Sequence, residues 1–82
     1  MNSIVVIYQP FAIEQMVILY KDGEVVENHR CPIERVPMLI EEISQHQGVS
    51  SVNLIGNSDY LGRFQKEILG KVPTNVSVNI VK

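Results

Sequence analysis

Gly56-Asn57-Ser58-Asp59 is the stretch of this chain best suited to holding a ligand. A glycine at the C-terminal end of a parallel strand, followed by the free N–H groups that open a helix, can receive an anion. Gly56, Asn57 and Ser58 are therefore the candidate ligand-binding residues, for a phosphate or a nucleotide. A simpler role weighs more: Gly56 makes the turn, Ser58 caps the helix, and Asp59 favours the helix dipole while repelling a phosphate. One glycine also falls short of a phosphate loop.

The other reactive side chains are few. His29 and His46 are the only histidines and Cys31 the only cysteine. A lone cysteine excludes an internal disulfide and supplies no zinc cluster; beside Pro32 it reads as a small, partly buried residue. His29 lies two residues from Cys31, but a catalytic Cys–His pair needs a third residue to orient the base, and none can be named. No metal site, cofactor or catalytic residue is expected, and the chain reads as a non-enzyme. A formal net charge of -2 gives no basic field for nucleic acid, and the 7 Lys and Arg form no run. The aromatics Tyr8, Phe11, Tyr20, Tyr60 and Phe64 have no interleaved basic residues, so base stacking is disfavoured too. No stretch reaches the ~20 apolar residues of a membrane span. The apolar run at the start lacks a basic leader and lasts five residues, so the cytoplasm is the expected compartment.

The elements that must position these residues follow from patterning. The 82 residues make one α/β domain, 1–82, with a hydrophobic fraction of 45% that argues against disorder. Ile4-Val5-Val6-Ile7-Tyr8 and Met16-Val17-Ile18-Leu19-Tyr20 do not alternate with polar residues, so each reads as a strand with two apolar faces. Strand one, 3–8, ends at Gln9-Pro10; Phe11 to Glu14 connects it to strand two, 15–20. Phe11 and Met16 flank that connection as candidates for an exposed apolar edge, and Tyr8 and Tyr20 are expected to pair across the strands. Lys21-Asp22-Gly23-Glu24 is a hairpin turn, leading to a more polar third strand, Val25 to Arg30, at a sheet edge.

Val36, Leu39, Ile40 and Ile43 then follow the i, i+3, i+4, i+7 rule of an amphipathic helix, with Pro37 at its start and Gly48 as its C-cap. A fourth strand runs from Val49 to Gly56, with Val52 and Leu54 on one face and Ser51 and Asn53 on the other. Leu61, Phe64, Ile68 and Leu69 stripe a second helix. The last strand, Val76 to Ile80, alternates strictly, so one of its faces is solvated.

The order is βββαβαβ: a five-stranded mixed sheet with two parallel, right-handed crossovers. If both crossovers step the same way, both helices cover one face and the other stays bare. That bare face is polar on the last strand, through Ser77 and Asn79, and apolar on the first two. Val5, Ile7, Val17 and Leu19, or their neighbours one position along, are the expected interface residues. Several such side chains forgo several kcal/mol when left in water, at roughly 25 cal/mol per Å² of apolar area. Self-association as a homodimer is the expected remedy, with function exercised through an unidentified protein partner. The alternative is a nucleotide- or anion-binding module at Gly56–Asp59.

Three antiparallel strands followed by αβαβ, with Val5-Val6-Ile7-Tyr8-Gln9-Pro10 leading to Met16 to Val26, resemble the opening of the ribonuclease H-like fold. Val52 to Ser58, running into a helix, is similar to a later strand–glycine–helix unit in the ATPase branch of that superfamily. The resemblance implies a trimmed member lacking the usual final helix, as in a small phage or prophage accessory protein. It also implies lost catalysis. The nuclease branch needs carboxylates on strand one and near the end of strand four to hold two metals; here those places hold Tyr8-Gln9, Asn53 and Gly56. Pro10 to Glu14 has none of the glycine and hydroxyl residues with which the ATPase branch wraps phosphates.

Overall fold

The computed structural model describes residues 1–56 and 58–81, the side chain of Ser58 excepted. Its elements are β1 (Asn2–Ile7), β2 (Gln15–Lys21), β3 (Glu24–Cys31), α1 (Val36–His46), β4 (Val49–Ile55), α2 (Ser58–Leu69) and β5 (Ser77–Val81), with a 3₁₀ turn at Ile33–Arg35. The five strands form one sheet in the order β3-β2-β1-β4-β5. β1 is antiparallel to β2, and β2 to β3; β1 is parallel to β4, and β4 to β5. The β2–β3 turn is closed by Asp22 and Gly23, both at positive φ (53° and 84°). This is the primed hairpin geometry that matches strand twist. The N-terminal ammonium pairs with the Asp22 carboxylate and holds its pKa below the ordinary value.

Both crossovers, β3 to β4 and β4 to β5, step toward the β5 edge, so both helices lie on one face. A single core results. Val36, Ile40 and Ile43 of α1 and Leu61, Phe64 and Ile68 of α2 meet Ile4, Val6, Val17, Leu19, Val52, Leu54 and Val78 of the sheet. The apolar spacing of each helix sets which side chains enter that core.

Three local expectations are corrected. Gly48 is not the C-cap of α1: Gln47 is, in an extended conformation, its N–H donating to the Ile43 carbonyl at 2.8 Å, and Gly48 has no positive φ. The chain enters β4 almost at once, so no left-handed residue is needed. Leu69 is exposed, because the α2 stripe facing the sheet is spanned by Leu61, Phe64 and Ile68. Tyr8 and Tyr20 do not pair. In an antiparallel hairpin the C-terminal ends of successive strands lie at opposite ends of the sheet, and Tyr20 faces Ser3.

Candidate interaction face

The sheet face opposite the helices can be written out from its registers. At the end where β1 and β4 terminate, Arg30, Met16, Ile7, Ile55 and Val81 lie side by side across the five strands. The middle row is Asn28, Ile18, Val5, Asn53 and Asn79. The row at the hairpin end is Val25, Tyr20, Ser3, Ser51 and Ser77. Side chains opposite one another in a ladder share a face, which is why these rows follow from the register alone.

Of the expected interface residues, Val5 and Ile7 do lie on this bare face, half-buried by their neighbours. Val17 and Leu19 do not. They pair with Val6 and Ile4, point at the helices, and are 0% and 1% exposed. Strand side chains alternate, so the antiparallel register that places Val5 opposite Ile18 sends Val17 and Leu19 to the other side. Met16, Ile18 and Tyr20, one position along, take their places.

The polar half of the face is a ladder of amides and hydroxyls. Asn79 Nδ2 donates to Asn53 Oδ1 and to Ser77 Oγ, each at 3.4 Å, and Asn53 Nδ2 to Ser51 Oγ at 3.5 Å. Among the described residues Arg30 is the one charged side chain on the face, at its β3 margin.

A loop borders the apolar half. Phe11 is 100% exposed and Ile13 90% exposed, yet the loop that carries them is firmly built. Gln15, only 3% exposed, accepts a hydrogen bond from the Gln9 N–H at 2.6 Å. Its amide nitrogen donates to the Gln9 carbonyl at 3.1 Å and the Ala12 carbonyl at 3.3 Å. Phe11 and Ile13 line an open depression of about 700 Å³ together with Met16 and Arg30, both bare-face residues. The loop thus borders the Met16–Arg30 end of the sheet, while Gln15, which anchors it, is in register with Cys31 on the helix-facing side. No sequence signal marked Gln15: a polar residue at a strand start is ordinary, and its partners are loop backbone groups.

The other candidate site resolves differently. Gly56 has φ +150°, and a Cβ built there would lie 3.0 Å from both Cβ and the carbonyl oxygen of Tyr8. Tyr8 in turn stacks on Tyr60, ring centroids 4.5 Å apart and planes 2° from parallel. The glycine is therefore required by the close approach of β1 to the end of β4, with no ligand needed to explain it. Asn57 and the side chain of Ser58 lie outside the described residues.

His29 and Cys31 share the helix-facing side of β3, in a cleft against α1. His29 Nε2 is 2.7 Å from Glu27 Oε1. Burial, then the Glu14 carboxylate, push the Cys31 thiol pKa up, against a smaller opposing pull from Arg35. Such a thiol is a poor nucleophile at neutral pH. Among the described residues no three His, Cys, Asp or Glu side chains are grouped to hold a metal, and no helix is long and apolar enough to cross a membrane. Comparison of the chain with protein-family models, with curated proteins and with solved structures found no match.

Proposed function

We propose that this chain is a non-enzymatic protein that pairs with a second copy through its bare sheet face, the paired sheets then serving as a scaffold for a protein partner. The observation that carries this reading is the missing charge. The chain has 7 Lys and Arg and 9 Asp and Glu, yet only Arg30 among the described residues lies on a face running across five strands. A solvated sheet surface ordinarily carries charge for solubility and against misassociation. Depletion of charge, with apolar and neutral polar groups remaining, is the composition of an interface core.

Pairing by the face rather than by an edge is favoured by β3. That edge strand carries Glu24, Glu27, His29 and Arg30 and has an irregular register between Leu19 and Tyr20 on its partner, devices that blunt edge pairing. Kinship with ribonuclease H-like chains belongs to this proposal as well, supported by element order alone. With Tyr8 and Gly56 packed together at the strand ends where acids or a phosphate loop would be needed, nothing in it calls for catalysis.

Sedimentation equilibrium at micromolar concentration tests the reading. A dimer is expected for the native chain. Ile55→Lys, placed at a bare-face position that is already exposed, should give a folded monomer because two lysines would be buried against apolar groups. A native chain that is monomeric up to about 100 µM, a dissociation constant weaker than about -5.5 kcal/mol of association, would end the proposal.

A further inference from the structure

The sheet ends in β3 on one side and β5 on the other. β3 carries charges and an irregular register that discourage further pairing. β5 has neither device. It reads Ser77-Val78-Asn79-Ile80-Val81, with no charge, no proline and a regular ladder to β4. An uncharged edge strand rich in β-branched residues is the kind that adds to another chain.

The ladder shows which of its backbone groups are left over. The Tyr8 N–H donates to the Ile55 carbonyl at 2.8 Å, so Ile55 turns its backbone groups toward β1. Successive residues turn to opposite sides, so Val52 and Leu54 turn toward β5. In a parallel ladder they bond the residues flanking their partners Val78 and Ile80, which are Ser77, Asn79 and Val81. The N–H and C=O groups of Val78 and Ile80 therefore face outward, where a sixth strand would lie. Gln65 meets them there. It falls on the α2 face shared with Leu61 and Ile68, at i+4 and i−3, and reaches β5 from above. Half-buried, its Nε2 donates to the Val78 carbonyl at 2.7 Å.

We infer that β5 is a docking edge for β5 of a second copy, and that Gln65 is the latch that keeps it shut. The occupant follows from the strand's own pattern. In an antiparallel pair centred on Asn79, Val78 of one copy lies opposite Ile80 of the other and exchanges both backbone bonds with it. Every outward group is then used. Val78 packs on Ile80 on the helix side, Asn79 meets Asn79 on the bare side, and no charge is brought together. Other registers fit worse. Centring on Val78 sets Ile80 against Val76, whose N–H is already given to the Pro73 carbonyl at 3.0 Å. Centring on Ile80 sets Val78 against Lys82, beyond the last strand residue. The favoured register needs the Val78 carbonyl to accept from the incoming Ile80 N–H, and the Gln65 amide holds that carbonyl. The edge opens when this one side chain swings away, with no change in α2. The latch concerns an edge rather than the bare face, so it does not depend on face pairing.

Sedimentation equilibrium of native, Gln65→Ala and Gln65→Met chains tests it. Both variants remove the donor, and methionine keeps nearly the same length. Each should run at no less than twice the native mass. Gln65→Lys restores a donor and adds an edge charge, so it should run at the native mass. The contact is located with Asn79→Cys in a Cys31→Ser background, since residues opposite one another in a non-hydrogen-bonded pair lie ~4.5 Å apart, within disulfide reach. Oxidation should link residue 79 of two copies when Gln65 is alanine, and far less when Gln65 is present. Variants that keep the native mass, or larger species without the 79–79 link, overturn the inference. A 79–79 link formed equally with Gln65 in place shows an edge that is not latched and also overturns it. Loss of circular dichroism in both Gln65→Ala and Gln65→Met would assign Gln65 to stability instead, and overturn it too.

Discussion

Replacing Gln15 by leucine should be among the most costly single changes outside the apolar core. The two side chains are similar in volume, so the perturbation is almost purely the loss of hydrogen bonds. Three are lost: a short one from the Gln9 N–H (2.6 Å), an ordinary one to the Gln9 carbonyl (3.1 Å) and a long one to the Ala12 carbonyl (3.3 Å). Each intramolecular bond contributes about 1 kcal/mol net, and a buried polar group left without a partner costs ~1–3 kcal/mol. Opening of the loop would let Gln9 reach water, which caps the loss at about 2–3 kcal/mol. In a domain of this size that corresponds to a melting shift of roughly 10–20 °C. Urea denaturation followed by circular dichroism measures it. The measurement belongs in the Ile55→Lys background, because the proposed dimerisation would add stability by mass action. Amide exchange at residues 9–14 should quicken in parallel. A loss below about 0.5 kcal/mol, with exchange unchanged, would show that the loop does not depend on Gln15.

The companion Gln15→Glu carries a sign. The protonated acid can accept from the Gln9 N–H and donate to its carbonyl, whereas the carboxylate faces two carbonyl oxygens in a buried place. The folded pKa is then raised, so the bond is intact below the unfolded value and is lost as pH rises through the folded one. This variant should be more stable near pH 4 than near pH 7 relative to the parent.

Gly56→Ala should cost about 1–3 kcal/mol, since the new Cβ meets Tyr8 at 3.0 Å and holds an unfavourable φ. Loss of the near-ultraviolet tyrosine signal would report the disturbed Tyr8–Tyr60 stack, and an unperturbed melt would contradict the packing account. Cys31 should react slowly with iodoacetamide at neutral pH, its rate still climbing above pH 9, because burial and Glu14 disfavour the thiolate. Glu14→Gln should speed the reaction; rapid labelling below pH 7 would show that this environment is misread. The linked stability has the same sign: complete at neutral pH, and lost as pH rises through the raised thiol value.

Much of the architecture was legible in residue order. Asp22-Gly23 announced the hairpin, the spacing of Val36, Ile40 and Ile43 announced α1, and the alternation from Val76 to Ile80 announced a half-solvated strand. The mixed five-stranded α/β layer with two helices follows from these, since local geometry and periodicity carry them. The residues of the bare face were legible only in part. A run such as Met16-Val17-Ile18-Leu19 contains no polar residue to say which side is inward, and register, a property of strand pairs, decides it. Residue order leaves open Val17 and Leu19 or their neighbours one position along, and the register puts Met16 and Ile18 on the bare side and Val17 and Leu19 in the core.

Composition and periodicity by themselves determined the elements, their order and the absence of disulfide or cysteine-cluster metal chemistry, because each depends on residue type or on spacings of a few positions. Only the tertiary structure decided that Gly56 answers to Tyr8, that Gln15 holds a loop six residues back, and that a surface with Arg30 as its one charge among the described residues spans strands distant in sequence. Those facts arise where segments far apart in the chain meet, and no local pattern encodes such meetings.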